Sequence, residues 1–166
     1  MSSIFSLFDI LAILYIFRSA QLAIKIWREW PDLKSEPLTP YKKSLANQAS
    51  FFIAVPIAVF VHEAAHALTT LMLGGEIAEF KYRAFYGYVV SLGSFTAVES
   101  WLIAIAGTLG SLLTGVLIWL ATRNAPSSSI RYFGLRAVRF RIYFSLIYYP
   151  LFTLLGFDGD WRTIYE

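Results

Sequence analysis

Cysteine is absent from this chain of 166 residues. That excludes a disulfide framework, a thiolate metal site and a nucleophilic thiol. Histidine occurs twice and methionine twice, so an imidazole-rich metal centre is excluded as well. Charge is scarce: 15% of residues are charged and 57% are apolar, whereas a soluble domain carries about 25% charge. A separate soluble domain is therefore not expected. The small excess of base, +3, is spread along the chain and gives no reason to expect a nucleic-acid partner. What the sequence has instead is long apolar runs.

Four runs approach the roughly 20 residues that cross a bilayer: Ile4 to Trp27, Phe51 to Leu73, Trp101 to Ala121 and the shorter Phe140 to Phe157. The first lacks a basic leader and contains Asp9, Arg18, Gln21 and Lys25, so it reads as a retained helix and not a signal peptide. Pro31 to Asn47, with three prolines, reads as a polar linker, and Gly74-Gly75 as a helix stop. From Ile77 to Val90 the pattern has period two. Phe80, Tyr82, Ala84, Tyr86, Tyr88 and Val90 fall on one face, and Glu79, Lys81 and Arg83 fall on the other with Ile77, Phe85 and Val89. This predicts one or two strands turning near Gly87, either lying on the membrane or offering an edge to an extended peptide. Thr122 to Arg139 reads as a connection whose arginines rest on anionic lipid.

The basic residues sort by connection. Lys25, Arg28, Lys34, Lys42 and Lys43 flank or fill the first, and Arg123, Arg131, Arg136, Arg139 and Arg141 the third. Opposite stand only Lys81, Arg83 and Arg162. The positive-inside rule then predicts four spans with both termini outside the cytoplasm. The expected fold is an all-α, multi-pass membrane protein with about four transmembrane helices and a small β-hairpin-like element. Residues 1–46 form an N-terminal helix and cytoplasmic linker, and residues 47–166 a three-helix core with the β element.

Both histidines lie in the second run, as His62-Glu63-Ala64-Ala65-His66. In a helix, positions i and i+4 share a face, so both rings can reach one metal ion. Glu63 can then take a proton from a water that the metal activates. Ionisable groups in the middle of a membrane run are costly unless they have partners or a task. A catalytic zinc has three protein ligands and an open position. With no cysteine and no third histidine, the third ligand must be a carboxylate. Asp158 and Asp160, at the end of the fourth run, stand out among the remaining acids.

With these motifs in this order, the chain resembles the site-2 protease family of intramembrane zinc metalloproteases over Phe51 to Trp161. That family pairs H-E-x-x-H on one membrane helix with an L-D-G-type motif on a later one. Phe157-Asp158-Gly159 matches the latter with Phe in place of Leu. The family's A-G-P-x-x-N-like motif is met by Ala106-Gly107-Thr108-Leu109-Gly110-Ser111, without the Pro and the Asn. Of its N-x-x-P element, Pro150 remains. The resemblance implies a zinc endopeptidase acting on membrane-embedded or membrane-proximal protein segments. His62, His66 and Asp158 would be the ligands and Glu63 the general base. Asp160, Gly107, Thr108 and Ser111 would stand behind the metal or against the substrate. Gly107 and Gly110 also suit close packing of helices. The alternative of a different class is a catalytically silent homologue that binds membrane segments as a scaffold or chaperone. The complete ligand set and Glu63 speak against it. A membrane hydroxylase or desaturase would need more than two histidines.

Overall fold

A computed structural model describes residues 7–156 and 159–165. Helix α1 is Leu7–Arg28, α2 Trp30–Lys34, α3 Pro40–Phe52 and α4 Ala54–Met72. Strands β1 (Glu76–Tyr82) and β2 (Gly87–Leu92) follow, then α5 (Ala97–Thr122) and α6 (Ser128–Tyr143). A π-helical turn over Phe144–Tyr148 leads into α7 (Tyr149–Leu154), and α8 is Asp160–Tyr165. Among the described residues, three helical stretches are long and apolar enough to cross a membrane: Leu7–Arg28, Pro40–Met72 and Ala97–Thr122. The expected fourth run is not among them; its residues 140–154 form the second half of a longer helical path from Ser128, whose first half carries Arg131, Arg136 and Arg139.

Two expectations about connections are corrected. The linker at Pro31–Asn47 is largely helical. Pro40 sits in the first turn, where its missing N–H costs nothing, and the Thr39 side chain accepts from the Lys42 backbone N–H at 3.3 Å. Most of Thr122–Arg139 is helical too. Glu36 caps its start, accepting from the Ser128 N–H at 2.7 Å and the Ser128 hydroxyl at 2.6 Å. Those bonds hold the Glu36 carboxyl below its ordinary range.

Prolines explain the two interruptions. A proline ring meets the carbonyl four residues earlier and offers no N–H. Pro56 accordingly breaks the path at Phe52–Ile53, between α3 and α4. Pro150 follows directly on the π turn, the kind of local unwinding that accommodates such a conflict.

The packing inverts that of a soluble protein. Leu7, Phe17, Leu68, Met72, Leu109, Leu117 and Leu154 face outward, where lipid would cover them. The face of α5 turned inward is small and polar: Ala104, Gly107, Thr108, Gly110, Ser111, Thr114 and Gly115. It packs closely on α4, where a Cβ at Gly110 would stand 3.1 Å from Ala65 Cβ and from the Val61 carbonyl. Small residues let helix backbones approach where lipid removes the hydrophobic incentive to associate. The α5 start is fixed by a capping box. Thr96 Oγ1 accepts from the Glu99 N–H at 3.3 Å and Glu99 Oε2 from the Thr96 N–H at 2.8 Å, an arrangement typically worth ~1 kcal/mol.

The β element is an antiparallel hairpin as the alternation predicts, but Gly87 opens β2 and the turn is Arg83–Tyr86. Its placement could not be read from the period. The hairpin runs back down α4. At its base Ser91 Oγ meets Thr70 Oγ1 at 2.7 Å, and toward its tip the Tyr82 hydroxyl donates to the Pro56 carbonyl at 3.1 Å. From Thr70 to Pro56 is roughly 21 Å of helix at 1.5 Å per residue. Strand β1 covers a similar length, roughly 20 Å at 3.3 Å per residue. Ala84 at the tip is buried with Tyr15 and Val55, and Arg83 Nε donates to Asp9 Oδ1 of α1 at 2.9 Å. The hairpin therefore runs alongside α4 from Thr70 to Pro56. It reaches the depth of the second apolar helix.

Candidate metal centre between α4, α5 and α8

On α4, His62 and His66 stand one turn apart on the face turned to α5, with Glu63 buried beside them. The chain turns at Leu155–Gly156, where Gly156 has φ +96°, and returns so that Asp160 starts α8 against α5. Asp160 Oδ2 lies 2.9 Å from His62 Nε2 and 3.2 Å from His66 Nε2, and the two Nε2 atoms are 3.0 Å apart. Among the described residues, these three form the cluster able to hold a metal ion.

The opposite ring nitrogens show why the atoms converge. His66 Nδ1 lies 2.7 Å from the Ile103 carbonyl of α5. A carbonyl only accepts, so Nδ1 carries the proton and the Nε2 lone pair points inward. His62 Nδ1 lies 3.2 Å from Ser111 Oγ, a hydroxyl able to accept the same proton and leave the Nε2 lone pair inward. Two lone pairs and a carboxylate oxygen within 3.2 Å of one another repel unless a cation or protons lie between them. Their spacing suits a tetrahedral zinc, whose nitrogen ligands at about 2.0–2.1 Å stand roughly 3.3 Å apart. Gly107 keeps the space open. A Cβ there would overlap His66 Nε2 and come within 2.6 Å of His66 Cε1 and 2.7 Å of His62 Cε1. The donor set and the cradle fit zinc.

Of the residues singled out in sequence, the structure brings together His62, Glu63, His66, Asp160, Gly107 and Ser111. Thr108 is buried on the same helix, with no hydrogen-bond partner for its hydroxyl among the described residues. Asp158 lies outside the described residues, as does the Phe157 that precedes it.

Sequence reasoning missed three features. Tyr149 of α7 holds Asp160 twice, donating from its hydroxyl to Oδ2 at 3.2 Å and accepting from the Asp160 N–H at 3.1 Å. Its position directly before Pro150 was the available signal. Gly87 opens β2 against the general-base candidate, where a Cβ would meet Glu63 Cγ at 2.6 Å and Oε1 at 2.9 Å. Arg141 is buried on the Ser145 and Tyr149 side of the helical path, and the four-residue spacing of these three was visible in the sequence.

A cavity of about 390 Å³ opens onto the donors. It is bounded by β2 at Tyr88, Val89 and Ser91 and by α5 at Ser100 and Ile103. A smaller one of about 180 Å³ lies beyond Glu63 and Gly87. Both are large enough for water.

Fold and site together define a helical membrane protein that holds an H-E-x-x-H pair and a carboxylate around one point, with water-sized space beside it. A model of the peptidase M50B-like family matches residues 45–156. The chain belongs to that family, a metallopeptidase family within the site-2 proteases, and is an integral membrane protein. The match contains both histidines and Glu63 and ends before both aspartates. No curated protein and no solved structure matches the chain.

Proposed function

We propose that the protein is an intramembrane zinc endopeptidase that hydrolyses peptide bonds in membrane-embedded or membrane-proximal segments. The observation that carries this reading is the convergence of His62, His66 and Asp160 beside buried Glu63, within a helix apolar enough to span a bilayer. His62 and His66 would hold the ion through Nε2 and Asp160 through its carboxylate. Bound there, zinc supplies a Lewis acid that lowers the pKa of water to about 7. Glu63 takes the proton from the attacking water and returns it to the leaving amine, a role worth about 10²–10⁴ in rate. Ser111 and the Ile103 carbonyl keep the rings oriented, and Tyr149 keeps Asp160 in place.

The substrate would lie along β2. In a two-stranded sheet one edge of β2 is unpaired among the described residues, and β2 borders the larger cavity. An extended segment can add to such an edge through main-chain hydrogen bonds. Irregular backbone at membrane depth is tolerated where it lines a water-filled cavity, which is where the hairpin stands. The experiment is hydrolysis of labelled single-span peptides by the purified protein in proteoliposomes. Activity is expected to fall on chelation with phenanthroline and return with zinc. Hydrolysis indifferent to the chelator would refute the zinc mechanism.

The proposed topology has four crossings, the fourth formed by the path ending at Leu154, with the metal site toward the non-cytoplasmic face. It rests on the basic residues in and beside the first and third connections, nine once buried Arg141 is set aside, against Lys81, Arg83 and Arg162 on the other side. Single cysteines at exposed Ser44, Ser94 and Asn124 report on it, because the native chain has none. An impermeant thiol reagent is expected to label Ser94→Cys in intact cells and the other two only after permeabilisation. Labelling of Asn124→Cys in intact cells would invert the orientation.

A further inference from the structure

Arg141 has no part in the mechanism above, yet it is a buried cation in the second half of the protein's helical path. Its side chain is 3% exposed, and Nη2 is buried with no hydrogen-bond partner among the described residues. Its stem is accommodated by Gly115 of α5, where a Cβ would press on Arg141 Cβ and Cγ at 3.0 Å. The guanidinium faces the ring of Phe140 at 5.4 Å. A charge kept this way at membrane depth is costly, and in membrane proteins such residues mark binding or transport sites. Arg141 borders the 180 Å³ cavity together with Ser145, Tyr149, Ser111, His62 and Glu63.

From these contacts we infer that Arg141 forms a carboxylate subsite for the peptide substrate, selecting an acidic side chain or a free C-terminus close to the scissile bond. The inference rests on the peptidase reading and adds a specificity to it. The cavity shares His62, Glu63, Gly87 and Tyr149 with the larger one over the metal donors, so an anion reaches Arg141 by way of the substrate cleft. Lipid phosphate is a poor occupant, because Arg141 is buried and borders a cavity that it shares with His62 and Glu63. The anions a peptide brings are carboxylates, and a guanidinium offers them paired donors in a fixed fork. Glu63 borders the same cavity, yet no ion pair joins it to Arg141 among the described residues. The guanidinium is therefore free to meet an incoming carboxylate at its own end.

The test measures binding, so that it does not depend on turnover. Dansylated apolar decapeptides carry one Glu or one Gln scanned through every position, and a second set ends in a free carboxylate or a carboxamide. Anisotropy is read on the zinc-loaded full chain in detergent, in the Glu63→Gln background so that no peptide is consumed, with Arg141 present or replaced by Met or Lys. At one position of the scan, or at the free terminus, the acid is expected to bind about 10–100-fold tighter than its amide. Arg141→Met should erase that ratio, and Arg141→Lys should keep part of it. The scan assigns a side chain as the source, and the terminal pair assigns the C-terminus. Equal binding of acid and amide everywhere, a ratio that survives Arg141→Met, or no binding of any peptide overturns the subsite. Selective binding without hydrolysis by the wild type would keep the subsite and sink the peptidase reading instead.

Discussion

Glu63→Gln is expected to lower peptide hydrolysis by about 10²–10⁴-fold while the protein keeps about one zinc per chain. The two effects separate because Glu63 is not among the converging donors. Glutamine preserves the volume that β2 needs, since Gly87 already sits against Glu63 Cγ. It loses only the capacity to take a proton. Hydrolysis of a verified peptide at the wild-type rate by the zinc-loaded variant would remove the general base from the mechanism. The same measurement rules on the silent-homologue alternative, because a scaffold has no rate to lose.

Asp160→Ala is expected to empty the site of zinc, and Asp158→Ala to leave it filled. Loss of a group that merely hydrogen-bonds to a ligand commonly costs about 10–100-fold in metal affinity. Loss of a ligand, and with it the anchor for Tyr149, should exceed that. Metal analysis of the two variants beside His62→Ala decides the case. Zinc lost in Asp158→Ala and retained in Asp160→Ala would restore the ligand assignment that the D-G motif suggests. Asp160→Asn discriminates further: it keeps the hydrogen bond from Tyr149 and removes the anionic ligand, so it too should lose the metal.

These two aspartates show where sequence reasoning reached its limit. H-E-x-x-H is legible because a helix fixes the relation of His62 to His66 and because so few other ligands exist in the chain. The demand for a carboxylate follows by elimination. The choice between Asp158 and Asp160 depends on how the chain turns after Leu154. A turn with Gly156 at φ +96° is a tertiary outcome, and no periodicity records it. The hairpin was legible from its alternation, whereas its descent along α4 depends on Tyr82 finding the Pro56 carbonyl across 26 residues. Helix α3 was obscured because three prolines and several lysines look like a loop, although Thr39-Pro40 is a sound helix start. Tyr149 was hidden for a plainer reason. In a chain with ten tyrosines, only its place before Pro150 sets this one apart, and that says nothing of a hydroxyl that grips a carboxylate.

The hairpin's tether bears on how far the catalytic unit extends. The family match starts at residue 45, yet the hairpin tip is held from outside that range, by Asp9 on Arg83 and by Tyr15 among Ala84, Phe85 and Val55. Tyr15 also donates to the Phe51 carbonyl at 2.5 Å, beside the Pro56 break. The strand that roofs Glu63 is thus anchored by a helix outside the matched range. A chain begun at residue 45 would keep His62, His66 and Asp160 and lose the brace that sets the width of the cleft. A shift of α1 would therefore move the roof of the cleft without touching a single donor atom.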